Sequence, residues 1–241
     1  LTANVTVTGT VDVNSTGTYV LTYSVADAAG NTDTKTRTVT VTGNRSVDLN
    51  STVAMDMLWV LPGTFTMASP TTETGRGSDE TEHNVTLTKG FYLGKYEVTQ
   101  AQYEAVMTGN PNSLSATPSQ YTGNDRPVEK VSWADAQVFL TRLNAQEAAN
   151  LPAGWSYVLP TESQWEYACR AGTTTAYSWG ATIASSNANW NHGADPNQTV
   201  NVGQFSANPW GFFDMHGNVW EWTADWYQAA YPSGNPVIDP T

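Results

Sequence analysis

Asp214-Met215-His216-Gly217-Asn218-Val219-Trp220-Glu221-Trp222 places two carboxylates seven residues apart around a Gly-Asn turn. Gly and Asn tolerate the left-handed backbone of a tight turn, so carbonyls in such a turn can point inward. With Asp214 and Glu221 on its flanks, the segment can form an oxygen-lined cage. Hard oxygen donors of this kind suit calcium.

Upstream, the same domain carries three helix starts. Thr99 with Gln102 and Thr161 with Gln164 have capping-box spacing, in which a hydroxyl and an amide satisfy free backbone N–H groups. Ser132 with Asp135 is a weaker version. Behind Ser132, Ala136, Phe139, Leu140 and Leu143 recur at helical spacing and define one apolar face. Gly172 is expected to stop the third helix. Met57 to Met67 reads as strand, turn and strand around Pro62-Gly63, and Arg45 to Asp56 reads as a polar linker. The stretches around Asn110, Thr122, Asn187 and Pro209 are rich in Gly, Asn, Pro and Trp and show no sustained period. Few helices, short strands and much irregular chain indicate an α+β domain.

The first residues follow a different period. Val5 and Val7, then Tyr19, Leu21, Tyr23 and Val25, alternate among Thr and Ser, which predicts strands with one buried face. Asp27-Ala28-Ala29-Gly30-Asn31 supplies turn chemistry, and Thr36 to Val41 resumes the alternation. All ten Trp lie between Trp59 and Trp226 and none in the first 43 residues, which argues for two domains. The expected organisation is a partial all-β domain over 1–43, a linker over 44–56, and an α+β domain over 57–241.

A formal net charge of −12, with no local Lys/Arg cluster to offset it, opposes contact with phosphate backbones or anionic lipid, so nucleic acid is not an expected partner. No apolar run reaches the roughly 18 residues of a membrane span. Cys169 is the single cysteine, so no internal disulfide is available and no Cys/His set has zinc spacing. His83, His192 and His216 are too scattered to make a metal set.

Gly17-Thr18-Tyr19-Val20-Leu21-Thr22-Tyr23, Asp27 to Asn31 and Thr38-Val39-Thr40-Val41 together resemble tandem immunoglobulin-like repeats of bacterial surface proteins. The resemblance covers the second half of such a repeat, which implies a partial sandwich and a stalk or spacer role. The second domain resembles the formylglycine-generating enzyme, or sulfatase-modifying factor, family from about Met57 to Tyr227. Five ordered blocks carry that resemblance: Trp59 to Met67, Tyr96 to Gln100, Pro127 to Trp133, Leu159 to Ala168, and Asp214 to Trp222. It implies a C-type-lectin-like α+β fold with little regular structure, here truncated at its C-terminus. It also implies calcium bound by Asp214, the carbonyls of Gly217 and Val219, and Glu221. A second calcium is implied at Asn189, the Trp190 carbonyl and Asp195. By the same resemblance Cys169 matches a structural cysteine, and the indoles from Trp210 to Trp226 belong to core packing rather than to a sugar platform.

In the enzymes of that family a cysteine pair near the C-terminus holds copper and oxidises a substrate cysteine to formylglycine. Copper(I) needs soft thiolates, and one thiol cannot supply that centre. The expected function is therefore a calcium-stabilised, non-catalytic binding or structural module of an exported bacterial protein, extracellular or at the cell surface. Its expected partners are a protein or a glycan there, or further copies of the chain joined through open edges of the N-terminal β-domain. The alternative is a copper-dependent formylglycine-generating oxidase whose cysteine pair lies beyond Thr241.

Overall fold

The computed structural model describes residues 5–11, 17–27, 29–41, 43–190, 198–228, 230–231 and 234–241. The chain divides into two compact units, Leu1–Asn44 and Arg45–Thr241.

In the first unit β1 (Val5–Thr8), β2 (Gly17–Ala26) and β3 (Thr32–Val41) form one antiparallel sheet in that order. The β2–β3 turn is built by Asp27. One of its oxygens accepts from the N–H groups of Ala29 (2.9 Å) and Asn31 (2.8 Å), the other from the Asn31 amide (2.8 Å). Gly30 takes φ 86°, a conformation open to glycine at no steric cost. The expected alternation is present in the register: Val5 opposes Val25, Val7 opposes Tyr23, and Tyr19 opposes Val39. Opposed residues share a face of an antiparallel pair. That face is not buried as expected, since Val5 is 59% and Val7 52% exposed and Leu21, Tyr23 and Val25 are half-buried. Among the described residues of this unit no second sheet covers it.

The second unit runs β4 (Arg45–Asp48), β5 (Ala54–Val60), β6 (Gly63–Met67), β7 (His83–Leu87), β8 (Phe91–Gly94), α1 (Gln100–Met107), α2 (Trp133–Glu147), α3 (Glu162–Arg170) and β9 (Val237–Ile238). It holds two three-stranded sheets, β4-β5-β8 and β6-β7-β9, with β7 and β9 parallel and the other pairs antiparallel. The stretch read as a polar linker is structured. Val47 and Leu49 are buried while Ser46 and Asp48 face water, so a two-residue period lay inside a polar composition. Asn50 closes the following turn by accepting from the N–H groups of Thr52 and Val53 (both 2.9 Å). Strands β5 and β6 follow the expected strand, turn and strand, but they belong to different sheets.

All three helices start in full capping boxes, at Thr99, Ser132 and Thr161. Helix α3 ends at Ala171, one residue before Gly172: Ala171 itself takes the left-handed conformation at φ 47°. Helices α1 and α2 pack Tyr103, Val106, Met107, Phe139 and Leu143 against Met55 and Met57 of β5. Leu58 and Val60, further along β5, join a second core with Val85, Ala168 and Phe212. Among the described residues no helix is long and apolar enough to cross a membrane.

The expectation that the late indoles fill the core is overturned. Trp220 is fully exposed, Trp226 is 85% and Trp222 50% exposed. Trp133 and Trp222 are held by their rims: each indole N–H donates to a backbone carbonyl, of Thr223 (3.0 Å) and Val131 (2.9 Å) respectively. The core places near Asp214 are taken instead by Phe212 and Met215.

Leu143 is 1% exposed within the α1–α2 layer. Leu143→Ala is expected to cost about 3–5 kcal/mol of unfolding free energy in urea melts. A loss below about 1 kcal/mol would show that this layer does not hold the unit together.

Candidate functional site

The Asp214 segment reaches its position through two backbone contacts. The Phe213 N–H donates to the Lys95 carbonyl (3.1 Å), which brings Asp214 beside Glu97, on the segment between β8 and α1. The Asn218 N–H donates to the Asn189 carbonyl (2.7 Å). Gly217 is needed there, because a Cβ would stand 2.4 Å from the Asn189 carbonyl oxygen. Asp214 and Asn218 both take positive φ, 59° and 68°, which short polar side chains tolerate.

Asp214 is 9% exposed. Its Oδ2 accepts from the Gly203 N–H at 2.6 Å, while its Oδ1 is buried with no hydrogen-bond partner. A buried acceptor left in that state is costly, so it marks a place for a cation or a donor. Burial raises the Asp214 carboxyl above its usual range against the pull of the Gly203 N–H. Glu221 is exposed as a residue, and its carboxyl lies beside the Trp165 indole. Burial there pushes it to about 7, Asp214 adds to the rise, and the Trp165 indole opposes it. That indole N–H has no hydrogen-bond partner of normal geometry.

A third carboxyl, which sequence reasoning missed, completes the cluster. Glu97 is 7% exposed; Oε2 accepts from the Asn218 amide (3.0 Å) and Oε1 from the Val219 N–H (3.3 Å). Burial pushes it to about 9, Glu221 and Asp214 push in the same direction, and the two donors oppose them. The only sequence signal was an acid between Tyr96 and Val98, directly before a capped helix. Among the described residues no three His, Cys, Asp or Glu side chains converge closely enough to hold a metal between them. The expected calcium set does not need three, because it combines two carboxylates with the carbonyls of Gly217 and Val219. The Gly217 carbonyl also accepts from the Val219 N–H (2.9 Å) and keeps a second lone pair.

For the second expected set, Asn189 and Trp190 are both half-buried and Asp195 lies outside the described residues. The Asn189 amide donates to the Gln198 carbonyl (3.0 Å) and to Asn218 Oδ1 (3.2 Å), so this loop is tied to the first. His192 also lies outside the described residues. Cys169 is buried, with Sγ 3.5 Å from the Met215 carbonyl and 3.6 Å from His216 Nε2. Burial first, then Glu166 and Glu221, push the thiol up to about 12. His216 accepts from the Ser178 N–H through Nε2 (3.1 Å) and meets Tyr177 and Trp179 edge-on; burial and then Arg170 lower it to about 4.

These features lie inside a stretch recognised by a family model described as a sulfatase-modifying factor enzyme 1-like domain, which matches residues 45–238. The chain belongs to that family. Its first residues, 1–41, match a model described as a bacterial surface protein Ig-like domain. Among curated relatives, the chaperone protein LppX of Paenibacillus barcinonensis is 32% identical over 223 residues, covering 74% of either chain. The formylglycine-generating enzyme of Streptomyces coelicolor is 32% identical over 138 residues, 51% of this chain and 40% of that enzyme. The chain therefore spans less than half the length of that enzyme. The solved structure of PvdO from Pseudomonas aeruginosa superposes with a TM-score of 0.66 at 27% identity over 82% of each chain. The family's C-type-lectin-like α+β fold, with few helices and short sheets, is the fold of this second unit.

Two measurements test the electrostatics of the site. Glu97 and Glu221 are easier to protonate in the folded chain than in the unfolded one, so the folded state holds more protons above pH 4.5, up to about 9 and about 7 respectively. Stability falls as pH rises through those windows. In chelator, Tm is expected to drop from about pH 5.5 to about pH 8, and a rise would show that the carboxyls ionise freely. The lowered His216 acts oppositely, costing stability as pH falls from 6.5 to about 4. Iodoacetamide should leave Cys169 unlabelled in the folded chain and label it in denaturant; fast native labelling would contradict a buried, protonated thiol.

Proposed function

We propose that this chain is a calcium-stabilised, non-catalytic binding or structural module of a bacterial protein displayed outside the cell or on its surface. The observation that carries the calcium reading is the Asp214 carboxyl: it is buried, one oxygen is satisfied by Gly203, and the other has no donor. Asp214, Glu221 and the carbonyls of Gly217 and Val219 would hold the ion, as the residue chemistry requires. The ion would neutralise carboxyls that now raise one another's proton affinity, and would lock a loop region without helix or strand.

The non-catalytic reading rests on Cys169. It is the one thiol of 241 residues, it is buried, and at about 12 it stays protonated at neutral pH. Copper-dependent thiol oxidation needs reactive thiolates, which this residue does not offer. The surface reading draws on the Ig-like match at 1–41 and on the net charge of −12. Exposed Trp220, Trp226 and Tyr227 offer aromatic faces to a protein or glycan partner. The likeness to the Streptomyces enzyme favours a second reading, a formylglycine-generating oxidase whose thiol pair is supplied by chain outside these residues. Peptide mapping of the native protein separates the two, since a closely spaced cysteine pair supports the oxidase.

Calcium at about one hundred times its Kd adds about 2.7 kcal/mol to the folded state, or about 5–10 °C in Tm for a unit of this size. Glu221→Gln should lose that response while its Tm in chelator stays at or above the parent's, because an acid pushed up to about 7 has become a neutral amide. A parent Tm indifferent to millimolar calcium would sink the calcium reading.

A further inference from the structure

The family resemblance assigns no role to Glu97, yet it is the most deeply buried of the three acids and the structure uses both of its oxygens. Its donors are the two residues that shape the turn: the Asn218 amide and the Val219 N–H. Asn218 is in turn clamped on every side. Its N–H donates to the Asn189 carbonyl (2.7 Å), its Oδ1 accepts from the Val200 N–H (2.9 Å) and the Asn189 amide (3.2 Å), and its amide also donates to the Val200 carbonyl (3.3 Å). Because a trans peptide is planar with N–H and C=O opposed, donation of the Asn218 N–H to Asn189 turns the Gly217 carbonyl away from Asn189. Neither ion pair found among the described residues involves Glu97, Asp214 or Glu221. The cluster thus holds three acids without a cationic side chain and one buried oxygen without a donor.

We propose that Glu97 is a positioning residue of the 214–221 cation site: through Asn218 and Val219 it fixes the turn whose carbonyls face the ion, and it supplies the site's third negative charge. This rests on the calcium reading given above. Glu97 does not touch the ion; it sets the geometry and field in which Asp214, Glu221 and the two carbonyls act. A carboxylate can accept from both donors at once. An amide in its place presents one acceptor and turns an NH2 group toward the other donor.

The test is a calcium titration by calorimetry on the parent chain, Glu97→Gln and Asn218→Gly, with Tm in chelator measured for each. Glycine accepts the positive φ of position 218, so the second variant removes the clamp, keeps all three carboxyls, and serves if the first fails to fold. Both variants are expected to bind calcium at least about tenfold more weakly than the parent, the scale at which partners behind metal ligands act. Glu97→Gln should keep its Tm in chelator. It should also lose more affinity for terbium, a trivalent ion, than for calcium, because a missing charge weighs more on the higher charge. Parent-like calcium affinity in Glu97→Gln, or in Asn218→Gly where that variant alone folds, overturns the role of Glu97 and leaves the calcium reading standing. A parent that binds no calcium removes both.

Discussion

Between α3 and β9 the described residues form no further helix or strand, their backbone polar groups still need partners, and asparagine amides supply many of them. A side-chain amide carries a donor and an acceptor, so it can complete two stretches of backbone at once. Asn208 donates to the carbonyls of Ala168 and Cys169 at the end of α3 and accepts from the N–H groups of Trp210 and Phe212. Asn218 does the same between the Asn189 loop, Val200 and Glu97. Earlier in the chain Asn110 and Asn144 bind loops to α1 and α2 in this way. Without such clamps a domain with so little helix and strand would leave buried carbonyls and N–H groups unsatisfied.

The same device explains why acids collect where they do. A loop fixed by Asn218 joins Asn189, Val200 and Glu97 to the 214–221 turn, and so gathers Glu97, Asp214 and Glu221 in one place. Like charges held in a low-dielectric surrounding raise one another's proton affinity, which is a cost to the fold unless protons or a cation absorb it. A site can therefore be strained as a protein interior and well suited as an ion binder. The Asp214 Oδ1 shows that strain at a single atom.

Cys169 and His216 sit close to this cluster and illustrate the opposite outcome. Their neighbours are the Met215 carbonyl, the Ser178 N–H and the rings of Tyr177 and Trp179, and burial among them favours the neutral form of each. Proximity of a thiol and an imidazole is often associated with nucleophilic chemistry, but both groups here are neutralised by burial. Their part is to pack the end of α3 against the Asp214 turn.

Sequence alone decides the parts that depend on near neighbours. The capping boxes at Thr99, Ser132 and Thr161, the strand alternation around Tyr19, and the ordered blocks from Trp59 to Trp222 lead to the α+β fold and to the immunoglobulin-like start. Asp214 and Glu221 stand out for the same reason, since the turn between them is local. Tertiary structure decides what depends on distance along the chain. Glu97 meets Asn218 across 121 residues, so its place beside the turn has no local signature. Val47 becomes strand, and Val47 and Leu49 become core, only because β5 and the α1–α2 layer receive them. The indoles of Trp220 and Trp226, which the family resemblance assigns to the core, stand in water, because burial belongs to the packed molecule and hydrophobicity describes the residue alone.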